Sequence, residues 1–184
     1  MIYLIATPQN KLDKKGRVSG WHCVPLDRKQ KEEWRQLLKQ LTAERNIEHV
    51  IGSDLDSEAA NVAGSELRLP VKTDYIYRRF NFGRFHARNA DVADGALRAI
   101  EKRWDSNPDI PMREGDSLTS YRKRFVRAFR ELLEKQGTAL FVTDTRTIAL
   151  IREEFNPHAF IPNGNPIKRE KLYRVQNART DSQL

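Results

Sequence analysis

The chain has 184 residues, 39% of them hydrophobic and 32% charged, and its 33 Lys and Arg against 25 Asp and Glu give a formal net charge of +8. That length suits one domain with a sizeable core, and no apolar run approaches the ~18 residues a membrane-spanning helix needs. One cysteine, Cys23, excludes an internal disulfide, and the N-terminus lacks the charged, apolar and small-residue regions of a secretory leader, so a cytoplasmic protein is expected. The basic balance points to an anionic partner (nucleic acid, a phosphorylated ligand or an acidic protein), against the plainer reading of a solvated basic surface.

Met1 to Ile5 is a short apolar run that reads as a central strand and leads into Ala6-Thr7-Pro8. Residues 10–20, "NKLDKKGRVSG", are a polar loop. From Arg28 to Leu41, the residues Trp34, Leu37, Leu38 and Leu41 fall at the i, i+3, i+4, i+7 spacing of a helix. "IEHVIGS" (Ile47 to Ser53) is a second strand, after which Ser53 or Asp54 can cap a helix running to about Ala63. "LPVKTDYIYRRFNFGRF" reads as a short strand and then an irregular basic-aromatic stretch. Asp91 to Trp104 is predicted helical, with Ala96, Ile100 and Trp104 on one stripe, and "SNPDIPMREGD" is a loop punctuated by Pro and Gly. Ser117 to Lys135 is a strongly amphipathic helix with Tyr121, Phe125, Phe129, Leu132 and Leu133 inward. "TALFVTD" (Thr138 to Asp144) is a strand, Thr145 to Glu154 a helix, and "AFIPNGNPIKREKLYRVQ" a hairpin or edge strands around an Asn-Gly turn.

Strands thus alternate with helices. The pattern predicts an α/β domain over residues 1–177, a three-layer α/β/α sandwich with a mostly parallel central sheet, and a frayed tail at 178–184. The functional crevice of such a sheet lies beyond the carboxyl ends of its strands. Here those ends are Ala6-Thr7-Pro8, Ser53-Asp54 and Thr143-Asp144-Thr145.

Several segments follow one another in a telling order. "GRVSGWHCVPL" (Gly16 to Leu26) follows the first strand, Ser53-Asp54-Leu55 the second, and Phe82-Gly83 lies in the basic-aromatic stretch. Gly115-Asp116-Ser117-Leu118 opens the long helix, "VTDT" ends the next strand, and "IPNGNPI" with "LYRV" comes last. In number, order and spacing these motifs resemble the histidine phosphatase superfamily, also called phosphoglycerate mutase-like. The resemblance covers nearly the whole chain and implies that fold.

It also implies a site, and here the chain departs from it. The family's first strand ends in Arg-His-Gly; the matching positions hold Ala6, Thr7 and Pro8. The second phosphate-binding arginine falls at Ser57, the proton donor at Arg79, and the second histidine at Asp144. Family chemistry needs a histidine nucleophile to carry the phosphoryl group, cations to neutralise its oxygens, and a carboxylic acid to protonate the leaving group. Thr7 is a poor nucleophile without an adjacent base, and Asp144 would repel a phosphate by about 1 kcal/mol at 4 Å in water and several-fold more in a drier cleft. The expectation is therefore a catalytically inactive family member, a pseudoenzyme acting as a binding or scaffolding module. The alternatives are an active phosphatase or phosphoglycerate mutase-like hydrolase with a rewired site, and a nucleic-acid-binding protein.

Other signals weigh against new chemistry or leave it open. Cys23 and His22 are neighbours in the matched loop, but sequence neighbours usually point apart, so Cys23 reads as an ordinary half-buried thiol. His22, His49, His86 and His158 make no i, i+3 or i, i+4 pair, so no metal is expected, and no glycine-rich nucleotide fingerprint implies a cofactor. Thr7, Ser57, Thr143 and Asp144 form either a polar cluster where phosphate would sit or, preferably, a hydrogen-bonded plug. Arg17 is a further cleft candidate. "YIYRRFNFGRFHAR" (Tyr75 to Arg88) sets Arg78, Arg79, Arg84 and Arg88 among aromatics, as single-stranded nucleic acid binders do, though alternating aromatics also simply pack a loop onto a core. On the long helix, Arg122, Lys123, Arg124, Arg127 and Arg130 read as a solvated face, with Arg127 and Glu131 or Arg130 and Glu134 spaced to pair.

Overall fold

The computed structural model describes residues 1–14, 20–43, 45–86, 102–104, 106–135, 137–155 and 173–175. Within them the chain runs β1 (Ile2–Ala6), α1 (Lys11–Lys14), α2 (Arg28–Thr42), β2 (His49–Gly52), α3 (Ser57–Leu67), β3 (Val71–Thr73), α4 (Leu118–Lys135), β4 (Ala139–Thr143), α5 (Thr145–Phe155) and β5 (Tyr173–Val175). Short 3-10 turns cover Asp54–Asp56, Tyr75–Tyr77 and Gly83–Phe85.

The apolar runs become the centre of one five-stranded sheet in the order β3-β2-β4-β1-β5. The first four strands are parallel, and β5 lies antiparallel on the outer edge of β1, Ile2 opposite Val175. All of β4 is buried, as expected of a parallel strand covered on both sides. Its side chains alternate between two cores, as does β1. Ile2, Leu4 and Phe141 face Tyr121, Phe125 and Phe129 of α4 and Ile148 and Ile151 of α5. Ile5, Leu140 and Val142 face Trp34 and Leu38 of α2 and Ala59, Ala60 and Ala63 of α3. The expected three-layer α/β/α sandwich is the observed one. Phe141 anchors the first core through edge-to-face contacts with Tyr77 at 5.3 Å, Phe129 at 5.5 Å and Phe125 at 6.1 Å.

Local signals explain the boundaries. Asp27 and Gln30 form a capping box that starts α2. Ser53, one of the two expected caps, accepts from the Asp56 N–H and starts the turn before α3. That helix runs to Leu67, past the expected stop near Ala63. Gly64 does not break it, because it is the point of close approach to β3: a Cβ there would sit 2.1 Å from Val71 Cγ2. At the end of the chain β5 is an edge strand, while the expected Asn-Gly turn, most of the helix expected over 91–104, and the 178–184 tail lie outside the described residues.

Phe125 is fully buried in the α4 core, so Phe125→Ala should cost about 3–5 kcal/mol. Urea unfolding followed by circular dichroism measures it, and a loss below about 1 kcal/mol would contradict this packing.

Candidate functional site

The parallel register of β1 and β4 sets Ala6 opposite Thr143, so both strands end at the same level. The Thr7 N–H then donates to the Thr143 carbonyl at 2.7 Å, which fixes Thr7 beside Asp144 at the carboxyl edge of the sheet. Ala6 is a buried core methyl. Thr143 is buried as well, and its hydroxyl has no hydrogen-bond partner among the described residues.

Asp144 works as a helix cap. Its Oδ1 accepts from the N–H groups of Arg146 at 2.9 Å and Thr147 at 3.1 Å, and its Oδ2 accepts from the Thr147 hydroxyl. With its proton so committed, the Thr147 oxygen accepts from the Tyr121 hydroxyl, 2.8 Å away. Burial and the Asp144 charge push the Tyr121 phenol far above its ordinary value, keeping it a neutral donor. A buried relay therefore ties α4 to the end of β4 through Tyr121, Thr147 and Asp144.

The end of β2 is tied across to the basic-aromatic stretch. Arg79 and Asp56 make a buried ion pair, Nη2 to Oδ1 3.0 Å, and the Ser53 hydroxyl donates to the other Asp56 oxygen at 2.6 Å. Burial pushes the Asp56 carboxyl above the ordinary carboxylate range, outweighing Arg79 and Ser53, with Asp144 and Asp54 acting in the same direction as burial. Arg78 grips both oxygens of Asp54 and lowers its pKa, chiefly through this hydrogen bonding. The same guanidinium stacks 4.8 Å from the centre of the Trp21 ring, and the Trp21 indole N–H donates to the Arg79 carbonyl at 2.7 Å. Arg124 joins from α4, donating to the carbonyls of Ile76 at 3.0 Å and Arg78 at 2.9 Å and pairing with Asp116 at 3.2 Å.

His86 pins the loop that carries Trp21. Its Nδ1 accepts the Trp21 N–H at 3.2 Å, so its Nε2 carries the proton and donates to Asn81 Oδ1 at 2.8 Å. Burial lowers its pKa, helped by His22 and Arg79. Gly20, at φ +41°, lets the loop approach: a Cβ there would sit 2.0 Å from His86 Nδ1.

The structure brings Thr7, Thr143, Asp144 and Arg79 to one edge of the sheet. Ser57 instead opens α3 and lines a separate cavity of about 500 Å³ with Cys23 and Glu58. Thr7 also walls a cavity of about 430 Å³ toward α2, beside Gln9, Gln30 and Trp34. Cys23 is exposed, not half-buried as expected, because its loop passes over the open mouth beside Ser57. Arg84 pairs with Glu114 at the surface. Arg17 and Arg88 lie outside the described residues. Of the aromatics in this stretch only Tyr75 is an exposed one, at 70%; Phe80 is buried and Tyr77, Phe82 and Phe85 pack against the α4 core. The stretch is thus largely built into the fold. Arg122 and Arg124 also depart from the expected solvated face: α5 supplies Glu153 and Glu154 to Arg122, while Arg124 meets the Ile76 and Arg78 carbonyls of the covering loop and Asp116 just ahead of α4. Arg127 does pair with Glu131, at 3.3 Å. No group of three or more His, Cys, Asp or Glu among the described residues can hold a metal.

Two substitutions probe this network. Arg79→Met strands a buried carboxyl and should cost about 3 kcal/mol, whereas Arg79→Met with Asp56→Leu should recover most of it; equal losses in urea unfolding would argue against a coupled pair. Because the folded protein holds His86 below its ordinary 6.5, its stabilisation is complete above that pH and is lost as pH falls through the folded value. His86→Gln can keep both hydrogen bonds but cannot titrate. Its stability should therefore fall less than the parent's between pH 7.5 and 5, values that bracket the ordinary histidine pKa of about 6.5, and superimposable pH profiles would contradict the assignment.

A family model of the histidine phosphatase superfamily (branch 1) matches residues 2–162. No curated protein matches the chain. Among solved structures, a putative α-ribazole-5'-P phosphatase from Escherichia coli K-12 superposes with a TM-score of 0.71 at 19% identity, over 97% of this chain and 96% of that one. The α-ribazole phosphatase of Shigella flexneri gives 0.70 at 19% identity, with the same coverage of 97% and 96%. A mycobacterial glucosyl-3-phosphoglycerate phosphatase gives 0.70 at 16% identity, over 84% of this chain and 78% of that one. At these identities the superpositions establish the fold, while the family model spans the sheet from β1 through α5. This chain belongs to the histidine phosphatase superfamily, branch 1.

Proposed function

We propose that this chain is a catalytically inactive histidine phosphatase, a pseudoenzyme that serves as a binding or scaffolding module. The observation that carries the reading is the state of Asp144. At the position the family resemblance assigns to a phosphate-binding histidine, a carboxylate caps α5 and accepts from Thr147. It can neither donate to a phosphate nor approach one without repulsion. Thr7, beside it, offers a hydroxyl where the family resemblance places the nucleophilic imidazole, and a hydroxyl is a weak nucleophile at its ordinary pKa. Arg79, where a proton donor is expected, cannot give up a proton at neutral pH and already neutralises Asp56. The cleft reads as a plug of hydrogen bonds and ion pairs. An exposed free thiol at Cys23 fits a reducing compartment, and we assign the protein to the cytoplasm.

The test is turnover of an aryl phosphate and of α-ribazole 5'-phosphate and glucosyl-3-phosphoglycerate, the compounds named for the structural neighbours. The parent should be no faster than Thr7→Ala/Asp144→Ala, with Thr7→Ala alone as a control that leaves the α5 cap intact. Activity in the parent that the double variant lacks would overturn the reading. Inorganic phosphate should also leave the melting temperature unchanged, where a ligand at a hundred times its Kd adds about 2.7 kcal/mol.

A further inference from the structure

Away from the cleft, the outer face of α4 carries a groove of about 440 Å³ that the family chemistry does not use. Its floor is apolar: Pro108, Leu118 and Val126. Its rim is Lys123, Arg127 and Arg130, at i, i+4 and i+7 along one side of the helix and all exposed. The walls are fixed. The Thr119 N–H donates to the Pro108 carbonyl at 3.2 Å, and the Trp104 indole N–H holds the same loop at the Ile110 carbonyl, 2.8 Å away. One end is closed by Arg122 and by Glu154, which also lines the groove; with Glu153 the two glutamates from α5 outweigh that one guanidinium, so the groove is cationic only along its Lys123, Arg127 and Arg130 side.

The rim charges are different. Lys123 and Arg130 make no ion pair among the described residues, and Arg127 meets only Glu131, at 3.3 Å between solvated side chains, a contact that water and salt readily replace. Cations beside an apolar slot call for an occupant with anions flanking an apolar side chain. The volume suits one or two such side chains. No lining residue is aromatic, so the groove offers no platform on which bases could stack.

We propose that this groove is a docking site for an acidic peptide segment of a protein partner, anchored by an apolar side chain over Leu118 and Val126 and held by Lys123, Arg127 and Arg130. The proposal rests on the reading of the chain as a binding module and names the class of partner.

A random-peptide phage library selected on the full chain tests it. Selection should enrich peptides of net negative charge with an apolar residue between the acidic ones. A fluorescein-labelled synthetic version of the enriched peptide should lose about tenfold or more in affinity to Lys123→Glu/Arg127→Glu/Arg130→Glu, and to Val126→Asn, as truncated anchor and charge contacts do. Circular dichroism checks that both variants fold, which their exposed or half-buried positions favour. No enrichment, a neutral or basic consensus, equal affinity for the triple variant, or displacement by a single-stranded oligonucleotide would each overturn the proposal. Aryl phosphatase activity measured on the same preparation separates the two readings: activity with peptide binding refutes the inert cleft alone, and inactivity without peptide binding refutes the groove alone.

Discussion

The buried pair of Arg79 and Asp56 is the constraint on which the site depends. A buried ion pair adds little net stability, because desolvating two charges offsets most of their attraction. What it does set is position. Ser53 and Asp56 belong to the turn after β2, and Arg79 to the basic-aromatic stretch beyond β3, so the pair fixes that stretch across the carboxyl edge of the sheet. Trp21 then closes on it through the Arg79 carbonyl and the Arg78 guanidinium, and His86 locks Trp21 from the other side. Removing the Arg79 side chain would leave Asp56 an uncompensated buried charge, while the carbonyl that holds Trp21 stays on the backbone.

The same network explains why, among the described residues of a positively charged chain, most arginines around the cleft already face carboxylates. Arg78 and Arg79 face Asp54 and Asp56, Arg124 faces Asp116, and Arg122 faces Glu153 and Glu154. The one-to-one pairs cancel at long range, and Arg122 with its two glutamates adds no positive field for an approaching anion. Much of the uncompensated charge of the described chain therefore stands on outward faces such as that of α4. Net charge alone pointed to an anionic partner; the pairing pattern moves the place where such a partner would be met from the cleft to the surface.

Most of the scaffold was legible in the sequence because its signals are local. The stripe of Tyr121, Phe125, Phe129, Leu132 and Leu133 announces a helix and its buried side, and the apolar runs before Ala6, Ser53 and Asp144 announce parallel strands. The site was legible only as positions. That Thr7 and Asp144 meet follows from the order of strands, but what holds each one does not. The partners of Arg78, Arg79 and Arg84 lie 24, 23 and 30 residues away, beyond the reach of any periodicity. Arg124 looked solvated because a helical wheel records only the helix's own stripe, while the loop that covers it arrives from residues 76–82. The helix was expected to end near Ala63; that Gly64 continues it as the point of approach to Val71 is invisible until the strand is placed.

Gly83 shows how tightly this scaffold is retained. It holds a φ of +54°, and a Cβ there would lie 2.0 Å from the Arg113 carbonyl oxygen, so the turn it makes tolerates no side chain. Asp116 faces it across the same junction, exchanging bonds with Asn81 in both directions and accepting from Arg124. Both residues belong to motifs that carry the family resemblance, Phe82-Gly83 and Gly115-Asp116-Ser117-Leu118. Their physical duty here is to dock the loop onto the start of α4, which needs no substrate. Motifs kept for such a duty persist whether or not the strand ends still perform chemistry. Family membership and catalytic competence are therefore separate properties of this chain, the first held by its loop-docking geometry and the second decided by the few side chains at the ends of β1 and β4.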